Sequence, residues 1–172
     1  RVAGQKPGKI SKNPKWYRED VPDEAYFDGR VAKLAIKALR ERKEAARPFF
    51  LAVGFWKPHA PFNAPSRYWD LYDRSKLSRP PNPEWPKDAP RIAWHNSREI
   101  LGGGKQRKLS EKDVMEMRHG YLAAITYFDA QLGKVLAELD RLGLREKTVV
   151  VFWSDHGFHL GEHSLWAKTS NF

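Results

Sequence analysis

The chain has 172 residues, 31 Lys and Arg against 21 Asp and Glu, a net charge of +10, and no cysteine. Such a length suits one domain or a piece of a larger one, the charge favours polyanionic partners, and the lack of thiols excludes disulfides and thiolate metal sites within it. No stretch approaches the roughly 18 consecutive apolar residues that span a bilayer, and the polar, basic start does not read as a signal peptide.

In chain order, residues 1–22 open with RVAGQKPGKISKNPKWYR, basic and free of acids, with Gly and Pro breaking any periodicity. They read as an irregular segment. From Asp28 the apolar residues Val31, Leu34, Ala35, Ala38 and Leu39 repeat with helical spacing, with Asp28 as the expected N-cap and Pro48 beyond the stop. Residues 49–54, FFLAVG, form a short continuous apolar run that predicts a buried strand. Residues 55–110 hold eight of the twelve prolines and four of the seven tryptophans, which predicts a long, packed excursion over the end of a sheet, with a short helix near 65–72. Ser110 and Asp113 resemble a capping box ahead of the clearest helix, whose apolar stripe runs from Val114 to Leu142. Gly143 follows where a C′ glycine belongs, and Gly120 and Gly133 mark bends or close packing. Residues 148–153, TVVVFW, predict a second strand, apolar on both faces as in a parallel sheet. The order of elements points to an α/β fold with a mostly parallel central sheet flanked by helices.

Ligands in open α/β sheets bind beyond the carboxyl ends of the strands. The first predicted strand runs into Lys57-Pro58-His59 and the second into Ser154-Asp155-His156-Gly157. If the strands are parallel neighbours, Lys57, His59, Asp155 and His156 converge on one rim. Asp155 with His156 is a candidate metal pair; oxygen-rich surroundings would suit calcium or magnesium, and the imidazole leans to zinc or manganese. His159 and His163 have the spacing of a helical zinc pair, but Gly161 between them argues against a helix, and orienting neighbours suits them better. Lys168 could hold an oxyanion, and His59, stiffened between two prolines, could serve an oxyanion or a leaving group. No serine sits in a nucleophile elbow.

Two stretches carry a resemblance. FFLAVGFWKPHAPF and SDHGFHLGEHSLWAKTSNF are similar, in order and spacing, to motifs of sulfatases in the iduronate-2-sulfatase branch. The resemblance implies part of an alkaline phosphatase-like sandwich. It also implies a formylglycine nucleophile, made from a Cys or Ser outside this chain, and one calcium ion. Asp155 and His156 would then be metal ligands, and His59 and Lys168 would contact the sulfate and assist the leaving group. Lys57 would support substrate binding, and His163 would support the site from behind.

This chain has no C/S-x-P-x-R segment and no paired upstream aspartates, and it carries Ser164 where the family often has Gly. The expectation is therefore that residues 1–172 form part of a sulfatase catalytic domain, inactive alone, whose nucleophile segment and C-terminal subdomain lie outside the chain. The expected substrate is a sulfated sugar or polysaccharide, with no nucleic acid and no membrane span. The expected setting is secreted, periplasmic or lysosomal, with any targeting signal upstream. A metal-dependent phosphoesterase of the same superfamily and a non-catalytic polyanion-binding module are the alternatives. Oligomeric state is not legible.

Overall fold

The structure, a computed structural model, describes residues 16–90, 93, 100 and 109–168. Helix α1 (Phe27–Ala45) turns its small and branched residues Ala32, Ala35 and Leu39 inward and closes at Ala46, whose φ is 50°. Arg42 and Lys43 in the last turn suit the negative end of the helix dipole. Tyr26, not Asp28, is the N-cap, and it makes no side-chain cap. Asp28 sits inside the first turn, and its carboxylate accepts the backbone N–H groups of Trp56 (2.8 Å) and Lys57 (2.9 Å). A buried N–H left unpaired is costly, so the carboxylate serves a distant loop rather than its own helix.

After β2 (Phe62–Pro65) comes the single turn of α2 (Ser66–Trp69), inside the window where the sequence predicts a short helix. The long helix α3 (Glu111–Arg141) then begins at Ser110, whose hydroxyl accepts the Asp113 N–H at 3.1 Å. It stops at a paired turn in which Gly143 N–H meets Asp140 O (2.9 Å) and Leu144 N–H meets Leu139 O (3.1 Å), with Gly143 at φ 65°. Helices α1 and α3 pack through Ala32, Ala35, Leu39, Val135 and Leu139. Glu138 of α3 joins them, accepting Arg40 Nε at 2.7 Å as well as two bonds from Arg141.

The buried face of α3 also carries His119, Tyr127, Gln131 and Glu138, which a purely apolar stripe does not include. Each has a partner: His119 meets Trp69 O, Tyr127 bonds Asp23 O, and Gln131 donates to Tyr127 O. Asp23, nearly buried, accepts from Tyr68 (3.0 Å), Lys134 (2.6 Å) and Arg67. Gly120 lets the sheet approach, because a Cβ there would lie 2.8 Å from the Trp69 ring and 3.1 Å from Phe62 Cβ. Gly133 faces open space and marks no close packing.

The strands depart furthest from expectation. Trp16–Glu19, within the segment read as irregular, form β1, paired in parallel with β2 from Trp16↔Phe62 to Glu19↔Pro65. Their side chains give the reason: Trp16 packs on Phe62 and Met117, and Tyr17 on the Tyr26–Tyr127 cluster. The second sheet is the short antiparallel pair β3 (His159–Leu160) and β4 (Trp166–Ala167). Residues 49–54 and 148–153, expected as central strands, pair with no neighbour among the described residues. The first keeps a strand's alternation: Phe49, Leu51, Val53 and Phe55 rest against α1 and α3, while Phe50 is 93% exposed. The second is open along its length, from Val149 (89% exposed) to Trp153 (75%). A ladder needs a partner edge, and composition cannot supply one. The described residues thus make an α/β arrangement with one small parallel sheet.

Candidate active site

The Lys57–Pro61 loop follows directly from the half-buried segment 49–55. Its entry is fixed by Asp28, and His59 N–H closes a turn onto Trp56 O at 3.0 Å. The Trp56 ring lies edge-on to the imidazole, centroids 5.3 Å apart. His59 Nδ1 is 2.7 Å from Ala60 O. A carbonyl only accepts, so Nδ1 carries the hydrogen and Nε2 presents its lone pair. That lone pair faces Lys168 Nζ at 3.1 Å, across 109 positions of sequence.

Lys168 reaches His59 because the C-terminal stretch is docked on α3 and β2. Phe158 packs against Phe62 and Tyr121, with centroids 5.6 and 5.8 Å away. Trp166 is buried beside Phe62 and Met117. Between these anchors the chain reverses at Gly161, φ 105°, where an added Cβ would stand 3.0 Å from both Pro80 Cγ and Trp166 Cζ2. Arg118 of α3 holds the reversal, donating to Leu160 O (3.0 Å) and Glu162 Oε1 (3.2 Å). His163 has φ 51° and ψ 31°, and its N–H bonds Asn82 O at 2.7 Å. With His159 on a strand and His163 in a tight turn, the two lie on no common helix, as Gly161 led us to expect. Ser164 also has positive φ (60°), a conformation that glycine adopts without strain, and its hydroxyl bonds Pro83 O at 2.7 Å.

Asp155 and His156 lie in the open stretch after residue 153, His156 Nε2 3.7 Å from Asp155 Oδ2, with the Asp155 side chain 88% exposed. No group of three or more His, Cys, Asp or Glu is arranged to hold a metal among the described residues. A calcium shell takes roughly six to eight oxygens. One carboxylate and one imidazole are a fraction of that, and these residues do not hold calcium by themselves.

Of the residues singled out from sequence, the structure therefore joins His59 to Lys168 and sets Asp155 beside His156. Lys57 is 9% exposed, with its ammonium on His59 O (3.1 Å), Pro61 O (2.7 Å) and Asn63 Oδ1 (2.6 Å). Burial lowers its pKa to about 8, and the Asp28 charge opposes that shift. Asp28 and Asn63 are the site residues that sequence reasoning missed. Asp28 carried a signal, being the acid in the first turn of α1, but its destination was not encoded locally.

Lys168 Nζ and His59 Nε2 thus form a donor–acceptor pair between two loops of an α/β scaffold. The sulfatase family model matches residues 4–172, and the chain belongs to that family. It is 38% identical to iduronate 2-sulfatase of Mus musculus over 162 residues, 89% of this chain and 29% of that protein. It is 33% identical to choline-sulfatase of Rhizobium meliloti (strain 1021) over 159 residues, 89% of this chain and 31% of that one. It is 32% identical over 176 residues to the multifunctional alkaline phosphatase superfamily protein PehA of Trinickia caryophylli, 96% of this chain and 32% of PehA. The chain thus spans about a third of the length of these curated relatives.

Proposed function

We propose that this chain is part of the catalytic domain of a sulfatase that hydrolyses sulfate esters, on sulfated sugars or polysaccharides. The observation that carries the reading is the contact between His59 Nε2 and Lys168 Nζ, made by the two motifs of the family resemblance. In this reading the sulfate enters between them. Lys168 donates to one equatorial oxygen. Before the sulfate enters, Nε2 takes a proton from the Lys168 ammonium, and it passes that proton to the ester oxygen as its bond to sulfur breaks, so that the sugar leaves as a neutral alcohol and the pair is left one proton short. Trp56, edge-on to the imidazole, limits the ring's rotation. Lys57 and His163 support the site through the loops they occupy.

By the same resemblance, a formylglycine outside the chain would supply the attacking oxygen, and a metal ion would offset charge on the sulfate. Asp155 and His156 would contribute to a calcium shell completed by donors elsewhere. The finer fold assignment, an alkaline phosphatase-like sandwich in which residues 49–54 and 148–153 are sheet strands, belongs to this proposal, as does a secreted, periplasmic or lysosomal setting. No helix is long and apolar enough to cross a membrane among the described residues. The net charge of +10 agrees with a polyanionic substrate.

The test is sulfate release from aryl and sugar sulfates by the full-length protein, with its metal content measured. Sulfate release with bound calcium is expected. Failure on every sulfate ester, with release of phosphate from monoesters and bound zinc, would instead establish the phosphoesterase reading, which the similarity to PehA keeps specific. Heparin binding indifferent to His59 and Lys168 substitutions, with no turnover of either ester, would favour a polyanion-binding module.

A further inference from the structure

Lys57 is a nearly buried cation ringed by neutral oxygens, with the Asp28 carboxylate at its backbone. Its side chain is short of water, and burial pushes its pKa down. An ammonium has three N–H donors. Here they point to three oxygens, His59 O, Pro61 O and Asn63 Oδ1, at 2.6–3.1 Å. No donor remains for a substrate oxygen in this arrangement. Two of the acceptors belong to the loop that Lys57 itself begins, and the third to β2, which follows that loop. The backbone of Lys57 is fixed in turn by Asp28 of α1, through the Trp56 and Lys57 N–H groups. The loop is therefore held at its start by a carboxylate and across its span by an ammonium, and His59 lies between the two.

We infer that Lys57 is a positioning residue, whose ammonium, together with the Asp28 carboxylate, fixes the loop that aims His59 Nε2 at Lys168. The inference deepens the reading of His59 as the sulfate-facing imidazole and rests on it for its consequence in catalysis. Among the described residues the charge that acts on Lys57 is Asp28 of α1, and Asn63 of β2, which accepts from its ammonium, is neutral. A neutral amine donates only two hydrogens. The clamp is complete while the ammonium persists, and one of its three oxygens loses its donor as pH rises through about 8.

The experiment follows the His59 ring signals by NMR in histidine-labelled full-length protein as pH is raised. Activity is measured in parallel. The expected result is an inflection in the His59 signals near pH 8, the value to which the Lys57 pKa is lowered. Asn63→Asp should move that inflection to higher pH, because a carboxylate at this position favours the charged amine. Lys57→Met should lower kcat by roughly tenfold to a hundredfold, with KM changed by less than about threefold, since a misaimed group weakens the chemical step more than binding. His59 signals without an inflection near pH 8, an inflection that Asn63→Asp leaves in place, or wild-type kcat in Lys57→Met would each overturn the inference. If Lys57→Met fails to fold, the wild-type and Asn63→Asp titrations decide. If the wild-type protein hydrolyses no sulfate ester but the inflection appears and moves, the sulfatase reading falls and the clamp stands.

Discussion

At the residue scale the proposed site rests on two side chains in contact, His59 and Lys168. His59 presents a lone pair only because Ala60 O holds the other ring nitrogen's hydrogen, and Lys168 answers it at 3.1 Å. In the full-length protein, His59→Gln and Lys168→Met should each lower kcat/KM on a sulfate ester by about 10²–10³-fold. The double variant should lose little more than either single one, because residues acting as a unit are strongly non-additive. Steady-state kinetics on all four proteins checks this. Fully additive losses would mean that the two groups act separately.

At the scale of elements, two joints matter. The first is the α1–α3 contact at Glu138, where hydrogen bonds from Arg141 and then Arg40 hold the carboxyl down to about 2, from an ordinary 4.5. A depressed carboxyl contributes stability above its unfolded value, and that contribution is lost as pH falls through the folded one. Glu138→Gln should therefore destabilise the full-length protein at pH 7, and the difference should close between about pH 4.5 and 2 in urea titrations. A pH-independent difference would contradict the ion-pair account. The second joint is the reversal between β3 and β4. Gly161→Ala places a methyl 3.0 Å from Pro80 and Trp166 at a positive φ. It should cost about 1–3 kcal/mol and, by shifting β4, should lower activity along with the melting temperature. Wild-type melting would show that the turn relaxes freely.

At the scale of the whole molecule, the open segments dominate. Phe50, Val149, Val151, Phe152 and Trp153 are all more than half exposed, in segments that pair with no strand among the described residues, an apolar surface of the kind that associates. The 172-residue chain made alone should self-associate at micromolar concentration, and Val149→Lys with Val151→Lys should reduce this in sedimentation measurements. A monodisperse wild-type chain would argue that the segments find cover within it. The same chain should release no sulfate above the level of its His59→Gln, Lys168→Met variant, since it holds no formylglycine precursor in the C/S-x-P-x-R setting.

The sequence by itself determined what is local. Ser110 and Gly143 bounded α3, the 3–4 spacing from Val31 to Leu39 found α1, and Gly161 broke the His159–His163 pair. Family membership was also legible, because two long motifs fell in order. Each of these rests on near neighbours in the chain, or on identity at matched positions. Tertiary structure alone decided the rest. Asp28 looked like a cap and serves the Lys57 loop instead; Trp16–Glu19 looked irregular and found an edge in Phe62–Pro65. The polar residues His119, Gln131 and Glu138 were legible only once their partners were in place. The two apolar runs showed the converse, since β-rich composition makes a segment able to pair but pairing needs a second edge. His59 and Lys168 meet for the same reason that sequence could not show it: their 3.1 Å contact is made by the docking of β4 on α3 and β2, across 109 residues.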